Sequence, residues 1–200
     1  MSSAKAGFFD GIADKWDGWD DLEALGRKLD AGLAQMGVGP EETIVDVGCG
    51  TGNLTQALLR RLGPRGRVVA VDLSPRMIEV ARGKVADERV TWHVADARRL
   101  PLGSDSFDRV VCYSVWPHFD DVAETGAELA RVLRSNGSLH VWHLIGRARV
   151  NEIHASAGPA VHNDILVPAA DTAEVLARLG FEVTQTIDTD THYLVSATKA

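Results

Sequence analysis

Apolar residues along this chain keep two rhythms that take turns. Short runs rich in valine recur at Thr43–Val47, Arg67–Asp72, Val90–Ala95, Phe107–Tyr113, Ser138–Leu144, Glu182–Ile187 and His192–Thr198. Their length and β-branched content predict strands. Between them, apolar residues return every three or four positions, which predicts helices over Leu22–Met36, Asn53–Leu62, Pro75–Val85, Asp121–Leu133 and Asp171–Leu179. The first of these carries Leu22, Leu25, Leu29, Leu33 and Met36 on one stripe. Ser74-Pro75 is a cap followed by proline at the first helical position, and Gly180 stands where a helix stops. Strands alternating with helices over short connections predict a parallel sheet covered on both faces. Residues 145–170 fit neither rhythm. A connection of that length usually has a function or some structure of its own, and this one is expected to cap a substrate site.

The sharpest signal is Val45-Asp46-Val47-Gly48-Cys49-Gly50-Thr51-Gly52-Asn53, where an apolar run meets three glycines at alternate positions and a helical pattern follows. Glycine tolerates a positive φ and lets a ligand approach the backbone without a Cβ in the way. The helix start offers unpaired N–H groups to polar ligand atoms. A dinucleotide site wants its third glycine at position 53, which is Asn53, and no Gly-Lys-Ser/Thr follows to bind phosphate. Asp72 closes the second strand, where an acid can accept both hydroxyls of a ribose. Asp96 ends the third strand.

Asp46-x-Gly48-x-Gly50-x-Gly52, with Asp72, Asp96 and the fourth strand in that order, resembles motifs I to IV of the class I S-adenosylmethionine (SAM) dependent methyltransferases. The opening Phe8-Phe9-Asp10-Gly11-Ile12-Ala13-Asp14-Lys15-Trp16-Asp17 is similar to the N-terminal lid of the ubiquinone-biosynthesis branch, with Trp16 where tyrosine is commoner. The resemblance implies a Rossmann-like α/β fold with seven strands in the order 3-2-1-4-5-7-6, the last antiparallel. It implies SAM as cofactor, methyl transfer to a small-molecule acceptor, and cofactor contacts from Asp46, Gly48, Cys49, Gly50, Gly52, Asp72, Leu73, Asp96, Ala97 and Trp16. Residues 1–20 are aromatic without a long helical period, and are expected to act as a lid that orders when the cofactor binds.

Composition narrows the partners. The 200 residues carry 21 lysines and arginines against 28 acids, a formal charge of −7, with no basic run to meet a nucleic-acid backbone. Cys49 and Cys112 read as small buried residues, and no apolar stretch exceeds strand length. One domain over residues 1–200, cytoplasmic, away from membranes and either monomeric or homodimeric, is the expectation.

Candidate chemistry sits beyond the fourth and fifth strands. His118 follows the fourth strand directly and is a candidate base. His140 and His143 lie three apart on a strand and so face opposite ways, with His143 toward the site and His140 under a helix. His143 and His154 are expected to line the substrate pocket as base or ligand. His143, His154, His162 and Asp164 also make a candidate set for a divalent transition metal. A SAM-binding protein without methyl chemistry is the other reading.

Overall fold

The alternating pattern becomes seven helices and seven strands in the computed structural model, which describes residues 3–200. Met1 and Ser2 of the expected lid lie outside the described residues. The helices are α1 (Ser3–Trp16), α2 (Leu22–Gln35), α3 (Asn53–Arg61), α4 (Pro75–Lys84), α5 (Val122–Val132), α6 (Arg147–Ser156) and α7 (Ala169–Arg178). The strands are β1 (Thr43–Val47), β2 (Arg67–Asp72), β3 (Val90–Val94), β4 (Phe107–Tyr113), β5 (Leu133–His143), β6 (Phe181–Asp188) and β7 (Tyr193–Lys199). They form one sheet in the order β3-β2-β1-β4-β5-β7-β6, parallel except for β7, which runs antiparallel to both β5 and β6.

Both faces of the sheet are buried, which is why the central strands read as unbroken apolar runs. Val45, Val47, Val110 and Val141 pack toward α5 and α7. Ile44, Val111 and Trp142 pack toward α2 and α3. Gly32 of α2 lies so near the sheet that a Cβ there would come within 2.2 Å of the Trp142 indole. At the sheet edge away from the glycine turn, Arg109 donates from Nε to Glu42 Oε2 (2.7 Å) and from a terminal nitrogen to Met36 O (3.1 Å). His140 joins this group through Arg109 and donates from Nδ1 to Ser196 Oγ (2.9 Å), so it is structural, on the α2 side as expected.

Three elements depart from the expected pattern. The opening segment, expected to lack a regular helix, is a helix over Ser3–Trp16. The 145–170 connection contains a further helix, α6. β5 begins at Leu133 rather than Ser138, and its early part turns through Asn136 at φ 62° before pairing regularly with β4 from Ser138. Ser135-Asn136-Gly137 reads as a turn in the sequence, and locally it is one.

The C-terminal ends of β1, β2 and β4 meet at one edge of the sheet, under α1. In an open α/β sheet that crevice is where ligands bind.

Candidate functional site

A cavity opens at this edge. Its floor is the glycine turn after β1. Gly48 adopts φ 69°, and a Cβ there would come within 2.3 Å of Val115, so only glycine fits. Gly50, at φ 52°, has no protein atom within 4 Å of where its Cβ would stand, which leaves its backbone open to a ligand. Asp72 closes β2 beside it. Its Oδ2 accepts the Gly50 N–H (2.8 Å) and its Oδ1 accepts the Ser74 N–H (2.8 Å). Each oxygen keeps a lone pair for a ligand hydroxyl. Burial pushes this carboxyl above its ordinary value, against the backbone bonds that hold it down. Leu73, Met77, Ala95 and Ala97 make an apolar wall on one side; Val115 and Phe119 make one on the other.

The roof is α1. Phe9 and Trp16 line the cavity, with ring centroids 6.2 Å apart in an edge-on arrangement. Acidic side chains fasten this helix to the rest. Asp10 Oδ1 accepts from Ser74 Oγ (2.5 Å) and from the Arg76 N–H (3.1 Å), extending the cap of α4. Asp14 pairs with Arg76 (2.6 Å). Asp17, just beyond the helix, accepts from Thr51 Oγ1 (2.6 Å) and Asn53 Nδ2 (3.0 Å) and pairs with Lys84 (2.7 Å).

At the far end, beyond β4, Ser114 is held at φ 54°, an uncommon conformation for a residue with a Cβ. It lines the cavity together with His118. His118 donates from Nδ1 to Asp164 Oδ2 (2.7 Å), so its Nε2 carries the lone pair. Burial lowers its pKa, and Asp164 offsets that only in part. Asp164 is held below the usual carboxylate range by His118 and Lys5, despite burial. His154 stacks beside His118 with ring centroids 4.7 Å apart, and donates from Nδ1 to the Asp164 carbonyl (2.6 Å). His143 is buried with Nε2 unpartnered; burial, then the two neighbouring imidazoles, lower its pKa to about 3.

Of the expected cofactor residues, Gly48, Gly50, Asp72, Leu73, Ala97 and Trp16 line the cavity. Asp46, Cys49, Gly52 and Asp96 do not. Asp46 is 1 % exposed beneath the turn and accepts from Thr55 Oγ1 (2.6 Å), joining strand to helix. Cys49 turns away to pack on Ala70 and Ile78, and Gly52 starts α3 against Trp92 and Ala81. Asp96 is taken up by Arg98, which donates to it from its backbone (3.0 Å) and guanidinium (2.7 Å). Burial opposes ionisation there, but Arg98 brings the pKa down to about 2. Of the three expected catalytic histidines, His118 lines the cavity, and His143 and His154 stand outside its lining. The expected metal set is not brought together: His162 is exposed and donates to Pro159 O (3.0 Å). No group of three metal-ligating side chains occurs among the described residues. No residue of the 145–170 connection, expected to cap the site, lines the cavity; its Asp164 and His154 reach it only by touching His118. Met77 and Phe119 are wall residues that carry no motif; their only signal is apolar character near strand ends.

A family model described as a methyltransferase domain matches residues 45–141, the stretch that builds the floor and both walls. The chain belongs to the class I SAM-dependent methyltransferase family. It is 32% identical over 139 residues to the methyltransferase GfsG of Streptomyces halstedii, covering 67% of this chain and 49% of that protein. It is 31% identical over 135 residues to the ubiquinone/menaquinone biosynthesis C-methyltransferase UbiE of Desulfotalea psychrophila, covering 64% of this chain and 53% of that one. The chain thus spans about half the length of these relatives. Among solved structures, it shares its fold with the methyltransferase in a complex with the Haloferax volcanii Trm112 methyltransferase activator. The TM-score is 0.78 at 23% identity, over 95% of this chain and 96% of that one. SAM is the family's cofactor, and the cavity suits it: an open glycine backbone, a carboxylate with lone pairs for a ribose, apolar walls and an aromatic roof. No described helix is long and apolar enough to cross a membrane.

Proposed function

We propose that this chain transfers a methyl group from SAM to a small-molecule acceptor, and that His118 takes the acceptor's proton. One observation carries this reading. A single cavity runs from Gly50 and Asp72 to His118, so a bound cofactor and an acceptor would share one apolar chamber. Asp72 would hold the ribose hydroxyls, and Gly50 would admit the cofactor against the backbone. When bound, SAM supplies a methyl group on a strong leaving group, so alignment of the acceptor does much of the work. A base is needed where the acceptor arrives protonated. His118 suits that role, since Asp164 holds Nδ1 and fixes the tautomer, and burial keeps the ring neutral near neutral pH. Phe9, Val115 and Phe119 favour an apolar acceptor and exclude water. The formal charge of −7 argues against a nucleic-acid acceptor.

The test is release of S-adenosylhomocysteine from SAM with a panel of phenols, thiols and amines, alongside calorimetry. The Asp72→Asn variant should bind S-adenosylhomocysteine about 10- to 100-fold more weakly, the loss of a charged acceptor for hydroxyls. The His118→Ala variant should bind it nearly as well, with turnover about 10²-fold lower. Failure to bind SAM would sink the reading. Binding without turnover on any acceptor would favour a SAM-binding protein without methyl chemistry.

A further inference from the structure

The helix that roofs the cavity also delivers a cation behind the base. Lys5 of α1 is only 7 % exposed. Its ammonium donates to the His118 carbonyl oxygen (2.9 Å) and to Asp120 Oδ1 (2.9 Å), and pairs with Asp164 Oδ1 (2.8 Å). The other Asp164 oxygen accepts the His118 Nδ1–H. One carboxylate therefore bridges a cation borne by the roof and an imidazole borne by the turn after β4. A buried lysine is costly and persists where its charge is matched. For covering the cavity alone, an aliphatic residue would serve.

We propose that Lys5 is a positioning residue: seating α1 over the cavity places its ammonium on Asp164 and so sets the His118 imidazole with Nδ1 donating and Nε2 toward the acceptor. This rests on the proposed role of His118. The base is then assembled together with the roof, and an open site holds a poorer one. The groups facing the His118 ring are Asp164 from residues 145–170, His154 from α6, His143 from β5, and the Phe9 edge from α1 at 5.1 Å. Lys5 and Asp120 complete the charged surroundings. Asp164 is the anion that touches the ring, and the ammonium shares it. Without that cation the whole carboxylate charge falls on the imidazole and favours its protonated form. A protonated ring cannot accept a proton.

Nitrogen-15 spectra of histidine-labelled full-length protein read the tautomer and titration of each imidazole, with the His118→Asn variant assigning the resonance. In the wild-type protein His118 should remain the Nδ1–H tautomer, titrating below its ordinary value. The Lys5→Met and Lys5→Gln variants should titrate about one pH unit or more higher, as expected for a removed neighbouring charge, and the Lys5→Arg variant should restore the wild-type value. With any acceptor that turns over, the acid limb of the rate profile should move up by the same shift. Titration of His118 at the wild-type value in both neutral variants, each folded by circular dichroism, would overturn the inference. Calorimetry with S-adenosylhomocysteine on the wild-type protein keeps the two readings apart. Absent binding would count against the proposed function, while the Lys5 effect remains readable in the ligand-free protein.

Discussion

Asp46 and Asp72 end neighbouring strands, yet their surroundings give them different work. Asp72 meets two backbone N–H groups and the cavity; Asp46 meets a threonine hydroxyl and no solvent. Burial lifts the Asp46 pKa from 3.8 to about 7, with the nearby Asp72 charge adding to it. A carboxyl whose folded value is raised costs nothing below its unfolded pKa, and stability is lost as pH rises through the folded one. The Asp46→Asn variant keeps an oxygen for Thr55 and removes the charge. Its stability relative to the wild-type protein should grow between pH 4 and 8 by up to about 4 kcal/mol, the worth of three pK units. Denaturant melts at both ends of that range decide it, and a constant difference would refute it. In sequence the two acids look alike, since each ends a valine-rich run. What separates them is the side chain of Thr55, one turn into the next helix. Asp96 carried a readable local signal in Arg98, two residues on, which captures it.

At the scale of elements, periodicity located most helices and strands to within a residue or two, and missed where the periodic face is not apolar. Along α1, positions 5, 9, 13 and 16 recur at helical spacing, but the first is Lys5, and Gly7 and Gly11 interrupt the run. α6 buries Val150 and His154, too little apolar surface to show as a stripe. α2 shows the opposite relation, where local propensity and tertiary packing disagree. Gly32→Ala would raise helix propensity, yet the added methyl meets the Trp142 indole at 2.2 Å. Overpacking of this kind should cost about 1–3 kcal/mol. A thermal melt of the variant above that of the wild-type protein would show that α2 can shift outward freely.

For the whole molecule, alternation of strand and helix made a covered, mostly parallel sheet legible, while the strand order came from the family resemblance. The floor of the site was legible too, because its glycines and Asp72 are local in sequence. The proposed base was only half legible. His118 was visible as a candidate, but Asp164 lies 46 positions away and Lys5 lies 113 away, and chain separation of that kind leaves no periodic trace. The fastening of α1 has a consequence for traffic through the cavity. The roof segment is joined to α4 by Asp14–Arg76 and Asp17–Lys84, pairs that remain partly exposed to solvent. Dissolved ions screen such pairs, so the rate at which spent cofactor is exchanged for fresh should be set by ionic strength as much as by affinity. Trp16 stands in the roof of the cavity and can report that exchange by its own fluorescence. In stopped-flow mixing with S-adenosylhomocysteine, entry and exit should both quicken as sodium chloride rises from about 0.05 to about 0.5 M, which shortens the screening length from roughly 14 Å to roughly 4 Å. Rates indifferent to salt would mean that ligands pass without unfastening the helix. Otherwise the protein behaves as a turnstile, its dwell time tuned by the medium it sits in.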